Sequence, residues 1–371
     1  MLWMGKLAYC IEVTLRRTIR KAYNPTIALL GGLLIAAPLA HAQVTKVREL
    51  DLDSHRDRRV LFGMAVTLRN EVLSFVAKDT GNWELYRASN WLNQNPTIEA
   101  LSVPGFFSKQ DYRRDGKSME TMNAQVFATR DGKFAFCVGS AMWLKRVAGR
   151  AVGEATADEV ITVVDLASSQ IVAATNSADL DLFSARGVAL DDDGFLRIES
   201  LSAGKVRQGA FIRLSIPSLK PSPKCSYDWI VDSPGKEHPQ ATTVKECSEI
   251  IGSRSLADYL NEGQRRPAAK PDVCENNRSE FCRWPGELTP DSQFGVALRT
   301  EGHDNFWGSW VVTSNSYIIF STSRRADIGE IKEPTDDSFQ RAVTSVDGND
   351  YLLVLQSGTH LTAYELQNQS N

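Results

Sequence analysis

Few residues in this chain have the types and spacing needed for chemistry, and the cysteines are the first of them. Of six cysteines, four fall close together, at Cys225, Cys247, Cys274 and Cys282. In an oxidising compartment such a group forms disulfides. Three pairings are possible for four cysteines; proximity in sequence favours Cys225 with Cys247 and Cys274 with Cys282. Zinc is the rival reading, but the tight C-x-x-C spacing and paired histidines of structural zinc sites are missing, so no metal is expected there. No C-x-x-C-H haem attachment occurs, and Cys137, inside an apolar alternating stretch, reads as a buried thiol.

Histidine is scarce: His55, His238, His303 and His360 follow the first 42 residues, and none lies in a G-x-S-x-G or H-E-x-x-H context. The acidic run Asp191-Asp192-Asp193-Gly194 offers oxygen ligands for calcium but lacks the D-x-D-x-D-G alternation and closing Glu, so it reads as a solvated turn. The most chemically mixed stretch is EGHDNFWGSW, residues 301–310. Its rings offer stacking area, and its acid, amide and imidazole groups offer orientation, which together suit a sugar, peptide or protein surface. His303, Asp304, Trp307 and Trp310 are therefore the candidate binding residues, with blade packing as the structural alternative for the aromatics. Trp83 and Trp91, flanking Arg87, read as packing residues.

The elements that must position these groups are strands. Residues 126–175 read VFATRDGKFAFCVGS, a polar loop, then EVITVVDLASSQIVAAT. Apolar residues alternate at period two around Asp131-Gly132 and again around Ser168-Ser169, which predicts four antiparallel strands joined by tight turns. The phrase at 130–136 and the phrase at 161–169 resemble the blade repeat of WD40/YVTN-type, quinoprotein-dehydrogenase-like β-propellers. That resemblance implies an all-β propeller whose loop-rich face recognises a protein or a small ligand; no cofactor residue of the quinoprotein enzymes can be carried over from it.

Spacing extends the pattern. Turn anchors at Asn70, Asp131, Asp193, Asp291 and Asp347 are separated by 61, 62, 98 and 56 residues. A shared pitch emerges if the long step holds an insertion of roughly 40 residues, and self-similarity of this kind marks a propeller of about five to seven blades. The insertion spans 232–285, is rich in Pro, Gly, Asn and charge, and carries a predicted short helix at 256–260 capped by Ser253 or Ser255. The strand-like TKVRELDLD stretch at 45–53 stands alone before the first unit and is expected to complete the last blade.

Residues 1–42 read as a cleaved signal peptide: basic residues at 6–21, a short apolar run at 27–37, and Ala40-His41-Ala42 as an A-x-A site. The apolar run falls short of the roughly 20 residues a membrane span needs. The predicted mature domain, 43–371, is therefore exported to the periplasm or beyond, with no stable membrane span. It has 37 basic and 44 acidic residues, which gives no footprint for nucleic acid. With apolar residues at 42% and charged residues at 23%, the composition excludes disorder.

The function expected is a non-catalytic protein- or ligand-binding module without a cofactor. The alternative is a propeller hydrolase or lyase acting on a glycan or lactone. Convergence of two or more of Asp131, Asp193, Glu301, His303 and Asp304 on the central channel would favour catalysis.

Overall fold

The computed structural model describes residues 43–367 apart from 55–60, 78–82, 104–112, 115–116, 148–149, 152–155, 177–179, 181–184, 192, 202–205, 234–235, 242–244, 261–280, 284–286, 305–309, 325 and 334–338. The segment predicted as a signal peptide, residues 1–42, lies outside the described residues, as does Cys274. Described strands belong to one compact unit, Ala42–Gln367.

Chain order gives the strands β1 (Gln43–Asp51), β2 (Leu61–Val66), β3 (Val72–Ala77), β4 (Trp83–Ser89) and β5 (Thr97–Val103). The second unit holds β6 (Arg113–Arg114), β7 (Lys117–Ala128), β8 (Phe134–Val147), β9 (Arg150–Ala151), β10 (Thr156–Asp165) and β11 (Gln170–Asn176). The third holds β12 (Ala185–Leu190), β13 (Leu196–Leu201), β14 (Val206–Leu214), β15 (Cys225–Ser233) and β16 (Lys236–Ala241), followed by helices α1 (Lys245–Ile251) and α2 (Leu256–Leu260). The fourth holds β17 (Phe281–Arg283), β18 (Glu287–Leu288), β19 (Phe294–Asp304), β20 (Trp310–Ser321) and β21 (Ala326–Glu333), and the fifth β22 (Phe339–Val346), β23 (Asn349–Gln356) and β24 (His360–Gln367).

These strands form five antiparallel sheets, each a blade of a β-propeller. The fifth sheet has the order β1-β24-β23-β22, so the first strand of the domain closes the last blade. Its ladder runs from Gln43 opposite Gln367 to Asp51 opposite His360. Closure of this kind covers the edge of β24 and joins the two ends of the ring. His360 Nδ1 lies 2.7 Å from Asp51 Oδ1 at the end of the ladder.

Period-two alternation explains how the blades stack. In β3, Val72 and Val76 pack towards blade five while Leu73, Phe75 and Ala77 pack towards blade two. In β8, Ala135 and Cys137 face blade one and Phe136 and Val138 face blade three. In β23, Tyr351, Leu353 and Leu355 face blade one and Leu352 and Val354 face blade four. Each fully buried side chain of this size contributes roughly 1.5–3 kcal/mol, so the inter-blade layers carry most of the stability. Trp83 and Trp91 are buried in these layers, as expected of packing residues, and Trp91 Nε1 donates to the Asn70 carbonyl at 2.6 Å. Gly63 allows the innermost strands of blades one and two to touch: a Cβ there would sit 2.6 Å from the Gln125 Cα.

The turns between the first two strands of the blades share one construction. Asn70, Gly132, Gly194, Ser292 and Asp347 all take positive φ, the conformation a tight hairpin demands. In blades one, two and four a threonine, Thr67, Thr129 or Thr289, opens the turn with its hydroxyl hydrogen-bonded inside it. All five predicted turn anchors fall in these turns, which sets the blade number at five.

The insertion differs from the expected outline. Residues 232–241 extend the sheet of blade three through β15 and β16, and residues 281–283 belong to blade four. One helix lies at Leu256–Leu260 as predicted, with Ser255 as its cap: the Asp258 N–H donates to Ser255 Oγ at 3.1 Å. A second, at Lys245–Ile251, was not expected from the sequence; its Cys247 pairs with Cys225 in a disulfide, Cα atoms 5.0 Å apart. In blade four, the stretch 310–321 is one continuous strand and not two.

Both helices cover the face of blade three that looks away from blade two. Leu196, Ile198, Ile212 and Leu214 face blade two; Phe211, Cys225 and Tyr227 meet Cys247, Ile251, Leu256 and Tyr259. Arg197, with its side chain only 2% exposed, donates to the carbonyls of Tyr259 and Leu260 at 2.7 and 2.9 Å, satisfying the C-terminal end of α2. Arg213 Nε pairs with Asp191 Oδ2 at 2.9 Å, and Arg213 and Arg254 both reach Asp193 at 3.1 Å. The expected solvated turn is thus corrected at Asp191, which is 1% exposed and also accepts the Tyr259 hydroxyl at 3.1 Å. Burial, and then the Asp191 carboxylate, hold the Tyr259 phenol well above its ordinary range. Replacing both Cys225 and Cys247 by Ser should lower unfolding free energy by about 3 kcal/mol, the loop-closure value for a separation of 22 residues. Denaturant titration of the variant against the oxidised parent checks this; an unchanged midpoint would mean that the ionic network alone holds the helices.

Candidate functional site

A cavity of ≈ 600 Å³ opens where the innermost strands of all five blades meet. It is lined by residues 64–68 and Asn70 of blade one, 126–130 of blade two, Leu190 of blade three, Glu287 and Pro290 of blade four, and 341–345 of blade five. The lining includes the turns after β2, β7 and β18, so this is the mouth of the central channel on the face that carries the first turn of each blade.

The groups facing it divide into those spent on the fold and those left over. Thr344 Oγ1 donates to Asn70 Oδ1 at 2.9 Å, and the Met64 N–H donates to Gln340 Oε1 at 2.7 Å; both contacts cross from blade five to blade one. Thr129 Oγ1 donates to Asp131 Oδ1 at 2.6 Å, and the Lys133 N–H donates to the same oxygen at 3.1 Å. The Thr129 hydroxyl first, and the Lys133 amide second, hold the Asp131 carboxyl below the usual carboxylate range. Arg341 is different. Its guanidinium stacks on the Tyr317 ring, 5.2 Å from the centroid, and its buried Nε has no acceptor among the described residues.

An acid pair bridges blades four and five beside the mouth. Asp350 is 4% exposed and accepts the Ser345 hydroxyl, and its carboxyl interacts electrostatically with that of Asp291. Burial raises the Asp350 carboxyl, and the Asp291 carboxylate adds to the rise against the opposing Ser345 bond. For Asp291 burial is outweighed by the Gln293 amide and the bond to Asp350, which set it below the usual range. Two carboxyls this close share a proton in preference to ionising together.

None of Asp131, Asp193, Glu301, His303 and Asp304 is among the described residues lining the cavity. Asp131 is bound into its own turn, and Asp193 is paired with Arg213 and Arg254. Glu301 lies near the far end of β19, where it accepts Ser314 Oγ at 2.8 Å and pairs with Arg299 at 2.9 Å. His303 is exposed one rung beyond Gly302, and Asp304 stands opposite Trp310 at the last rung of the β19–β20 ribbon. Trp307 lies outside the described residues. The ribbon ends about 30 Å along the strand from the turn that opens β19, at ~3.3 Å per residue, so these candidates sit at the opposite end of the blade from the mouth. Cys282 is in β17, opposite Thr300, and its predicted partner Cys274 lies outside the described residues. Cys137 is buried between blades one and two, and burial pushes its thiol well above the ordinary range, which removes it as a nucleophile.

The sequence reading missed the mouth. Arg341 and Glu287 come from the weakly patterned inner strands of the neighbouring blades five and four, and only the packing of those two blades sets both at the mouth. Among the described residues no group of three or more His, Cys, Asp and Glu side chains is placed to hold a metal ion. No described helix is long and apolar enough to cross a membrane.

No family model matches the chain, and no curated protein matches it in sequence. Solved structures align along most of its length at low similarity. A Bacillus subtilis arabinanase is 10% identical over 85% of this chain and 97% of its own, with a TM-score of 0.30. A glucose dehydrogenase is 10% identical over 88% of this chain and 100% of its own, with a TM-score of 0.31. The β-propeller domain of a Pyrococcus furiosus protease is 11% identical over 84% and 86%, with a TM-score of 0.25. The fold therefore rests on the sheets and their closure, and likenesses of this strength carry no argument about activity.

Replacing Asp350 by Asn supplies an N–H donor to Asp291 with no need of a shared proton. Asp350, with its raised value, contributes stability at low pH that is lost as pH rises through its folded value; Asp291, with its lowered value, contributes in the opposite sense. D350N should therefore raise stability at neutral pH by about 1 kcal/mol, and the gain should fade as pH falls to where Asp350 takes up its proton. Melting curves across pH test it, and a pH-independent difference would refute the shared proton.

Proposed function

We propose that this protein is an exported propeller of the WD40/YVTN kind that acts as a non-catalytic binding module, with the channel mouth as its small-ligand site. The observation that carries this reading is the lining itself: innermost strands of five blades enclose ≈ 600 Å³, within the range of small-molecule pockets. Among the described lining residues Glu287 is the one carboxylate, whereas glycoside hydrolysis uses a pair. Thr67, Thr129, Thr344 and Ser345 are engaged in hydrogen bonds within the fold, and none has a histidine base beside it in the lining.

Ala342, in the lining stretch of β22, gives the test. Substitution by Trp should fill the mouth while the inter-blade layers stay intact. Wild-type protein should be stabilised in a thermal-shift screen of small metabolites, A342W should lose that stabilisation, and mass spectrometry should recover the ligand unchanged. Stabilisation retained in A342W would move the site elsewhere, and a turned-over ligand would overturn the non-catalytic reading.

A second contact is proposed for the β19–β20 ribbon, because its rungs from Glu301 to Asp304 run past the last pair that β20 makes with β21, Asn315 with Glu333. The expected occupant is a protein surface meeting His303, Asp304, Trp307 and Trp310. Substitution of Trp307 and Trp310 by Ala should abolish capture of a cell-envelope partner without altering small-ligand binding at the mouth; unchanged capture would remove the ribbon from consideration.

A further inference from the structure

We infer that the ligand of the channel mouth is a small organic monocarboxylate, with its carboxylate on the Arg341 guanidinium and a hydroxyl or amino group of the same molecule on Glu287. This deepens the binding reading above and depends on it.

The inference comes from accounting for each polar group at the mouth. Hydroxyls there are committed: Thr67 to Glu71, Thr129 to Asp131, Thr344 to Asn70 and Ser345 to Asp350. The turn carboxylates are committed too, Asp131 to the Lys133 amide and Asp291 to the Gln293 amide. Two lining groups are left without a hydrogen-bond or ion-pair partner among the described residues: the Arg341 guanidinium, whose Nε is buried, and the Glu287 carboxylate. A hydrogen bond to a charged group contributes on the order of 1.5–3 kcal/mol, which an acceptor reaching the guanidinium would supply.

Arg341 is also held in place. Its Cζ lies over the ring of Tyr317, itself buried, and that contact restrains the guanidinium before any ligand arrives. A planar fork matches the two oxygens of a carboxylate, and pre-organisation reduces the entropy lost on binding. Charge selects among anions. The charged lining groups are Arg130, Arg341 and Glu287, a net charge of one positive, and the Asp291–Asp350 pair adds negative charge beside the mouth. A single negative charge is accommodated there, while a dianionic phosphate meets repulsion from the blade-four side. The rest of the wall, including Val66, Val126, Leu190 and Val343, is apolar and suits a carbon skeleton.

Titration calorimetry with four probes tests the assignment: leucine and gluconate, which carry a donor beside the carboxylate; hexanoate, which does not; and inorganic phosphate. Wild-type protein should bind leucine or gluconate more tightly than hexanoate and should not bind phosphate. Arg341→Gln should weaken the carboxylates at least about tenfold. Arg341→Lys, which keeps the cation and protects the fold if R341Q melts early, should still weaken them because the fork is gone. Glu287→Gln should weaken the donor-bearing probe and leave hexanoate unchanged. Equal affinity in R341Q and R341K, preference for phosphate, or no heat from any carboxylate would each overturn the inference. A neutral ligand displaced by A342W but insensitive to R341Q would sink this inference while leaving the binding-module reading standing; carboxylate binding that survives A342W would sink both.

Discussion

A ring of sheets holds together only if every blade buries both of its faces, and most of what is specific about this chain follows from that requirement. Each strand has a two-residue period, so one run of apolar residues serves two interfaces: Phe136 and Val138 on one side of β8, Ala135 and Cys137 on the other. A blade packed on one face only would leave a wide apolar surface in water. The sheets are therefore coupled, and the geometry of the mouth is inherited from layers that lie well outside it. Gln340 and Thr344 show the coupling at its closest, each bridging from blade five into blade one just beneath the cavity.

Blade three meets the requirement by other means. The face it turns away from blade two carries Arg197 and Arg213 in place of aliphatic residues, and two short helices with a disulfide lie over it. Such a surface is costly unless every charge is matched. Here matching is achieved by carbonyls at the end of α2, by Asp191 and Asp193, and by Glu199, whose carboxyl is raised by burial against the pull of Arg197. The helices are too short to hold themselves, so their position depends on these arginines and on the sulfur bridge. An apolar face would accept many partners, whereas a fork of guanidinium donors accepts a helix end in one orientation.

Much of the architecture was legible in the sequence because local rules and the global fold agree there. Asp131-Gly132 and its counterparts mark hairpins through the steric demand for positive φ, and alternating apolar residues mark which strands they join. Five such anchors became five blades. The disulfide Cys225–Cys247 was placed by proximity, but α1 was invisible because seven residues with little amphipathic pattern do not announce a helix. What no local rule could supply was the mouth. Arg341 and Glu287 are 54 positions apart, on separate blades, and neither sits in a motif. The aromatic stretch 301–310 stands out by composition, but strand length carries its described residues, 301–304 and Trp310, to the other end of the blade. The acidic run at Asp191 was misread as solvated because the arginines that bury it lie on β14 and beyond α1.

Strand β1 has a consequence in time as well as in space. It is the first strand of the domain to leave the ribosome, yet its partner β24 is the last, and the contact between Asp51 and His360 spans 309 positions. Until synthesis ends, β1 can form no native ladder, and β23 and β24 have no covering edge. Blades one to four can each collapse as they emerge, but the ring stays open and its cavity unformed. The channel mouth therefore takes its shape only once β24 has been made, so a molecule lacking β24 would leave the mouth unformed even with four blades correctly folded.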